Sequence, residues 1–207
     1  MKGKRGFSKI PYSILILVLS LFFLLEMEGK GIAHSAEAVD RSSSTPSLRM
    51  NSIIKTHVKK IRSWVKNPIL VNATIKQNEK QVPFSEIQKI DNDWVAGKAD
   101  LFALELQKNE AGEFLRNKIL SNGKLYVEAF LCDNQGAIVG EYPKTSDYWQ
   151  GDEDKFIKSY NNGNGEFHQS EITYDESTKT FSVQVSIPIV ENGKAIGVLI
   201  VGLRNIQ

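Results

Sequence analysis

The chain has 207 residues, 41% of them hydrophobic, with 26 Lys/Arg against 24 Asp/Glu and a single cysteine. That length and composition fit one globular domain plus a targeting segment. A net charge of +2 implies neither a nucleic-acid-binding face nor a large footprint on an anionic membrane, and a lone Cys132 excludes an internal disulfide, a multi-cysteine zinc site and a c-type haem motif.

The N-terminus reads as a targeting segment. Lys2, Lys4, Arg5 and Lys9 precede an uncharged apolar run of 16 residues, 10–25. The run is long for the core of a signal peptide and short for a comfortable span. Ala36-Glu37-Ala38 offers an A-x-A cleavage site, so residues 1–38 are a signal peptide or an N-terminal membrane anchor. Cations before the run keep the N-terminus in the cytoplasm. The rest of the chain is expected in the periplasm or outside the cell, or anchored in the cytoplasmic membrane by residues 10–25.

Residues 39–47 are a polar Ser/Thr linker, and residues 48–207 are expected to be a single domain. Ser44 or Thr45, followed by Pro46, can cap a helix whose apolar face runs Met50, Ile53, Ile54, His57, Val58, Ile61, Trp64 and Val65. Asn67-Pro68 interrupts it, because proline lacks the N–H and disfavours helix at the residue before it. A second helix is expected from about 69 to 77. Ser85-x-x-Gln88 resembles a capping box for a third, with Ile87, Ile90, Trp94 and Val95 on its apolar side. Leu101, Leu104, Leu106, Phe114, Leu115, Ile119 and Leu120 extend the helical half.

The period then changes to two. Strands are expected over 125–132 and 137–142 around an Asp133-x-x-Gly136 turn, then over 167–174, 180–189 and 195–203. Asn192-Gly193 marks a hairpin, since a type I′ turn needs positive φ at both central residues. Residues 143–165 between them are irregular, with a short helix at 152–160. The fold class is α+β: a long N-terminal helix and further helices packed on a five-stranded antiparallel sheet.

Several segments together resemble the extracytoplasmic Cache sensor domains, a PAS-like family of bacterial receptors. They are Asn67-Pro68-Ile69-Leu70-Val71-Asn72-Ala73, Ile87-x-x-Ile90-Asp91-x-x-Trp94, Asp133-x-x-Gly136, Thr145-Ser146-Asp147-Tyr148-Trp149-Gln150-Gly151-Asp152-Glu153, Tyr174-Asp175-Glu176-Ser177, Ile187-Pro188 and Ile196-Gly197-Val198-Leu199. The resemblance covers roughly residues 48–203, and the run from Asp147 to Glu153 is its specific part. It departs where the family carries a pair of Trp, for which Lys155 and Phe156 stand here. It implies a PAS-like sheet and a sensory, ligand-binding and non-enzymatic role in signal transduction. The family's receptors continue into a second membrane helix and a cytoplasmic output module, whereas this chain stops four residues after Leu203. The resemblance therefore implies a module that lacks its own transmitter and acts through a membrane-bound signalling partner.

Tyr148, Trp149 and Phe156 lie among Asp147, Asp152, Glu153 and Asp154. Ring faces attract positive charge and a carboxylate completes the pairing, so rings and acids together can hold a small cation or ammonium group. Tyr148, Trp149 and Asp152 are expected to line a ligand pocket, with Asp147 and Phe156 at its border. Lys155 beside this cluster favours an anionic or zwitterionic ligand, so the ligand is an amine, an amino acid or a carboxylate. The bland reading of the same run is a helix cap and a solvated acidic turn, with the rings filling the sheet edge.

Nothing supports catalysis: adjacent carboxylates point apart, and no nucleophile or phosphate loop accompanies them. His34, His57 and His168 lack metal-ligand spacing, so no metal and no cofactor are expected. His57, Ile61 and Trp64 read either as a face packed on the chain's own sheet or as the seam of a homodimer through the N-terminal helix. The competing function is a non-enzymatic structural or assembly protein of the cell envelope that keeps the fold without a ligand; a hydrolase using the acidic cluster is a third reading.

Overall fold

Four of the six strands are long enough to show their alternation, and that alternation divides the molecule into two layers of helix around one sheet. The structure is a computed structural model that describes residues 44–122, 124–175 and 179–204. The strands are β1 (Tyr126–Cys132), β2 (Ile138–Tyr142), β3 (His168–Gln169), β4 (Thr173–Asp175), β5 (Thr180–Glu191) and β6 (Lys194–Arg204). They form one antiparallel sheet in the order β2-β1-β6-β5-β3, with β4 also on β5. The helices are α1 (Ser44–Trp64), α2 (Pro68–Glu79), α3 (Phe84–Val95), α4 (Asp100–Lys108), α5 (Glu110–Leu120) and α6 (Asp154–Tyr160).

Opposed pairs such as Ala129↔Val201 and Leu131↔Leu199 point to one face, with Val183, Val185, Ile187 and Ile189 of β5. This face is covered by Ile54, Ile61, Trp64, Leu70, Leu115 and Ile119 of α1, α2 and α5. Phe130↔Ile200 and Cys132↔Val198 point to the other face, under Ile87, Trp94, Ala103 and Leu106 of α3 and α4 and under Tyr148 and Phe156. Along β5 that second face carries Ser182, Gln184 and Ser186. It is therefore oily at its centre and polar toward β5. Both cores are built from residues of the compact unit Asp40–Gln207.

The Asn67-Pro68 break stands as expected. Asn67 caps α2, its side chain accepting the Ile69 N–H at 2.9 Å, and Pro68 takes the first turn, where no N–H is needed. The Asn192-Gly193 hairpin is also present, with φ of +49° and +78°. Asp133 Oδ1 accepts the N–H groups of Gln135 and Ala137 at 2.8 and 2.9 Å, which fixes the first hairpin turn.

Three expectations are corrected. The strand expected over 167–174 is two short strands, β3 and β4, so the sheet has six strands rather than five. Ser170 interrupts it, because its hydroxyl, not a backbone carbonyl, accepts the Gln184 N–H at 2.9 Å. Ser85 does not cap α3. The helix begins at Phe84 behind Pro83, whose carbonyl accepts from Glu86 and Ile87, and no side chain makes a capping bond. Residues 44–47, expected as linker, are the first turn of α1. The helical stretch through Leu101 and Leu120 is two helices, joined at Asn109, whose side chain accepts the Gly112 N–H at 2.8 Å. Residues 1–43, with the targeting segment, the cleavage site and the rest of the linker, lie outside the described residues. Among the described residues no helix is long and apolar enough to cross a membrane.

Candidate ligand site

The site segment, residues 143–151, is irregular but tightly held. It returns beside β2: Ile138 N–H donates to the Tyr148 carbonyl at 3.2 Å and Gln150 N–H to the Gly136 carbonyl at 2.9 Å. Helix α3 clamps it from above. Asp91 Oδ1 accepts the N–H groups of both Tyr148 and Trp149 at 2.9 Å, and Trp94 Nε1 donates to the Thr145 carbonyl at 3.0 Å. From β2, Glu141 Oε2 accepts the Thr145 N–H at 3.0 Å and lies 2.9 Å from its hydroxyl. Burial pushes the Glu141 carboxyl up to about 7, against the opposing pull of the Thr145 hydrogen bonds and the Lys144 charge.

Between this segment and the polar end of the sheet lies a cavity of about 190 Å³. Its walls are Glu128 and Phe130 of β1, Gln184 of β5, Thr145, Asp147 and Gln150 of the segment, and Lys155 of α6, with Tyr174 of β4 at one side. Gln184 Nε2 donates to Glu128 Oε1 at 2.8 Å. Gln150 Nε2 donates to Asp147 Oδ1 at 2.7 Å and to the Asp147 carbonyl at 3.0 Å. Gln150 is 1% exposed, yet its Oε1 has no hydrogen-bond partner among the described residues. A buried acceptor without a donor costs about 1–3 kcal/mol, so a donor delivered into this cavity removes a penalty. The Lys155 ammonium lies 5.5 Å from the Phe130 ring centroid and 3.0 Å from Glu153 Oε2. Lys155, paired with Glu153, shares the walls of this small space with the carboxylates of Asp147 and Glu128, a set of groups that suits a ligand carrying ammonium, carboxylate or both.

The five residues expected to make the site fall in different places. Asp147 lines this cavity. Tyr148 is 2% exposed and packs under α3 and α4, with ring centroids 5.7 Å from Trp94 and 5.6 Å from Phe102. Burial raises its phenol far above the ordinary value. Trp149 turns away from the cavity: its Nε1 donates to the Gln135 carbonyl at 2.8 Å and its ring meets Phe84. Phe156 is core and stacks on Tyr160 at 5.3 Å. Asp152 is exposed and not among the lining residues. The rings thus build the segment's underside and do not form an aromatic cage.

Glu128 and Gln184 were not singled out from the sequence, and Thr145 and Gln150 stand in the quoted motif but were not expected to line the pocket. A signal was there for two of them: Glu128 is the one charge in YVEAFLC, and Gln184 is the largest polar side chain at the alternate, non-apolar positions of FSVQVSIPI. Both mark positions where the second face turns polar. Among the described residues no group of three or more His, Cys, Asp and Glu could hold a metal ion.

The family model dCache_3, described as the double sensory domain of two-component sensor kinases, matches residues 100–204, just over half of the chain. The chain belongs to the Cache sensor-domain family. The matched residues of this Cache domain begin at α4 and end with β6, so they contain the whole sheet and the cavity. A ligand-binding domain of the Campylobacter jejuni chemoreceptor Tlp3, solved with 4-methylisoleucine, is similar to it at 20% identity and a TM-score of 0.38, over 69% of this chain and 59% of that one. The same receptor's sensory domain with isoleucine gives 20% and 0.36, over 71% and 62%. The sensor domain of the V. cholerae histidine kinase DctB gives 11% and 0.33, over 75% and 57%. The chain spans about three fifths of the length of these domains. Among curated proteins no match is found.

Proposed function

We propose that this Cache domain is an exported sensory module that holds a small amine, amino acid or carboxylate in the cavity beneath residues 145–150. The observation that carries the reading is the buried Gln150, whose Oε1 has no partner among the described residues, in a cavity that Lys155 lines together with Asp147 and Glu128. Asp147 is the partner for a ligand ammonium, Lys155 for a carboxylate, and Gln150 Oε1 for a donor between them. A volume of about 190 Å³ suits a ligand smaller than drug size. Tyr148, Trp149 and Phe156 shape and brace the segment. Asp152 takes no part in binding.

Occupancy becomes a signal only if the ligand prefers one of two states of the domain. The segment bridges the sheet and α3, so a ligand that draws Gln150 and Lys155 together biases that junction. The family's description as a sensory domain of sensor kinases supports a membrane-bound signalling partner as the receiver. Export is supported by the cations at residues 2–9 ahead of the apolar run 10–25.

The test is a thermal-shift screen of amines, amino acids and carboxylates, followed by calorimetric titration of wild type, Asp147→Asn, Lys155→Met and Asp152→Ala. A charge-assisted hydrogen bond contributes about 1.5–3 kcal/mol, so loss of the matching partner should weaken binding roughly tenfold to a hundredfold. Loss in the Asp147 variant alone identifies an amine, in the Lys155 variant alone a carboxylate, and in both an amino acid. Asp152→Ala should bind as wild type. Unaltered affinity in both cavity variants would sink the reading.

A further inference from the structure

The charge of this chain balances in sum but not along its length. Residues 41–78 hold eight Lys/Arg and no Asp or Glu. Lys55, Lys59 and Arg62 follow one another at spacings of four and three along α1, and Lys66 continues the series in the turn beyond it; all four are exposed. Such spacing keeps side chains on one helix face. At 1.5 Å per residue the series runs for about 16 Å. Ile54, Ile61 and Trp64 on the opposite side are buried against the sheet, so the cation face is the one turned to solvent. None of the four joins an ion pair among the described residues, where all four pairs lie elsewhere.

The series ends at a groove. Arg62 and Lys66 wall an open cavity of about 630 Å³ with an apolar floor of Val65, Val71 and Ile187, and with Glu191 also on its wall. The Arg62 guanidinium lies 5.4 Å from the Phe167 ring centroid. Val190, 49% exposed, adds an apolar residue at the groove. A line of cations that finishes at an oily groove matches a surface presenting phosphates above acyl chains.

We propose that this face of α1 docks on an anionic phospholipid surface, with Lys55, Lys59, Arg62 and Lys66 on the phosphates and Val190 and the groove floor toward the lipid interior. A second copy fits poorly, because an α1–α1 contact through this face sets cations against cations. A nucleic acid offers nothing to the apolar floor. The balanced total charge, which implied no membrane footprint, concealed a segregated one. Each cation near an anionic leaflet adds attraction that salt screens over a Debye length of about 10 Å at 0.1 M.

The experiment is co-sedimentation of the unit 40–207, whose two cores are built from its own residues, with vesicles of phosphatidylglycerol in phosphatidylcholine and with phosphatidylcholine alone. Binding is expected on the anionic vesicles only, and it should disappear at 0.5 M salt. Lys55→Glu/Lys59→Glu/Arg62→Glu/Lys66→Glu should lower partitioning by about a hundredfold or more, with an unchanged circular-dichroism spectrum. A control reversing four other exposed cations, Lys80, Lys89, Lys98 and Lys108, changes net charge equally and should lose far less. Equal loss in the control, equal binding to neutral vesicles, or no vesicle binding would overturn the proposal. Tighter retention on polyglutamate than on anionic vesicles would assign the face to an acidic protein and overturn it too.

Discussion

Glu141 shows how much one buried carboxyl can decide. It is 0% exposed, and Thr145 offers it both an N–H and a hydroxyl. That hydroxyl has one proton but two acceptors within reach, Glu141 Oε2 at 2.9 Å and the Asp147 carbonyl at 2.7 Å. Burial penalises the charged carboxylate here, while the Thr145 hydrogen bonds favour it. A folded-state value of about 7 against 4.5 means the fold favours the neutral acid. The stability this confers is complete below pH 4.5 and is lost as pH rises through about 7. Its full size is roughly 3–3.5 kcal/mol. Urea unfolding at pH 5 and pH 8 should therefore show a larger fall for wild type than for Glu141→Gln. Parallel falls would mean that Glu141 is not the titrating group. At this scale the sequence spoke unevenly. Asp147 and Lys155 stand out as charges in a motif, but Gln150, the buried amide with a partnerless oxygen, looks like any polar loop residue. Its burial comes from the Gly136 and Asp91 contacts that fold the segment back, and those are tertiary.

At the scale of elements, α3 holds a wall of the proposed site without lining the cavity itself. One carboxylate, Asp91, serves two consecutive N–H groups. Asp91→Ala should destabilise the domain by about 2–3 kcal/mol, read by chemical unfolding, and should weaken ligand binding as well. Full affinity in that variant would separate the clamp from the site. The two hairpin turns allow a cleaner comparison. Gly193 has a φ of +78° with nothing within 4 Å of an added Cβ, whereas Gly136 has a φ of +86° and its Cβ would lie 2.4 Å from Gly151 Cα. Gly193→Ala should cost about 1 kcal/mol, the conformational penalty alone. Gly136→Ala adds a collision with backbone and should cost at least about twice that. Equal costs would contradict the packing seen at Gly151. The hairpins were legible because turn chemistry is local. The break between β3 and β4 was not, since it depends on the Ser170 hydroxyl meeting a strand fourteen residues on.

For the whole molecule, the N-terminal helix is part of the domain and not an addition to it. Trp64 is 2% exposed and stands edge-on to Tyr126, which also lies 2.6 Å from His57 Nδ1. Burial lowers His57 and raises the Tyr126 phenol to about 12, so both are neutral around pH 7 and the phenol can donate to the ring nitrogen. The face that could have formed a dimer seam is thus occupied by the chain's own sheet. Trp64→Ala should cost about 3–5 kcal/mol, measured by thermal or urea unfolding. The layered α+β plan was readable from the change of period near residue 125, because periodicity is what burial imposes on sequence. The proposed cavity was readable as a neighbourhood only. The run from Asp147 to Glu153 marks a segment that walls it, but which side chains face inward is set by pairing with β2 and by the α3 clamp. The central claim is that the cavity between β1, β5 and residues 145–155 is the ligand site. It is tested most directly by following the side-chain amide resonances of Gln150 and Gln184 during titration with the ligand a thermal-shift screen finds. Saturable shifts at both amides, with the affinity seen by calorimetry, are predicted. Shifts confined to Trp149 and Phe84, or to the groove at the end of α1, with both glutamine amides unmoved, would contradict it.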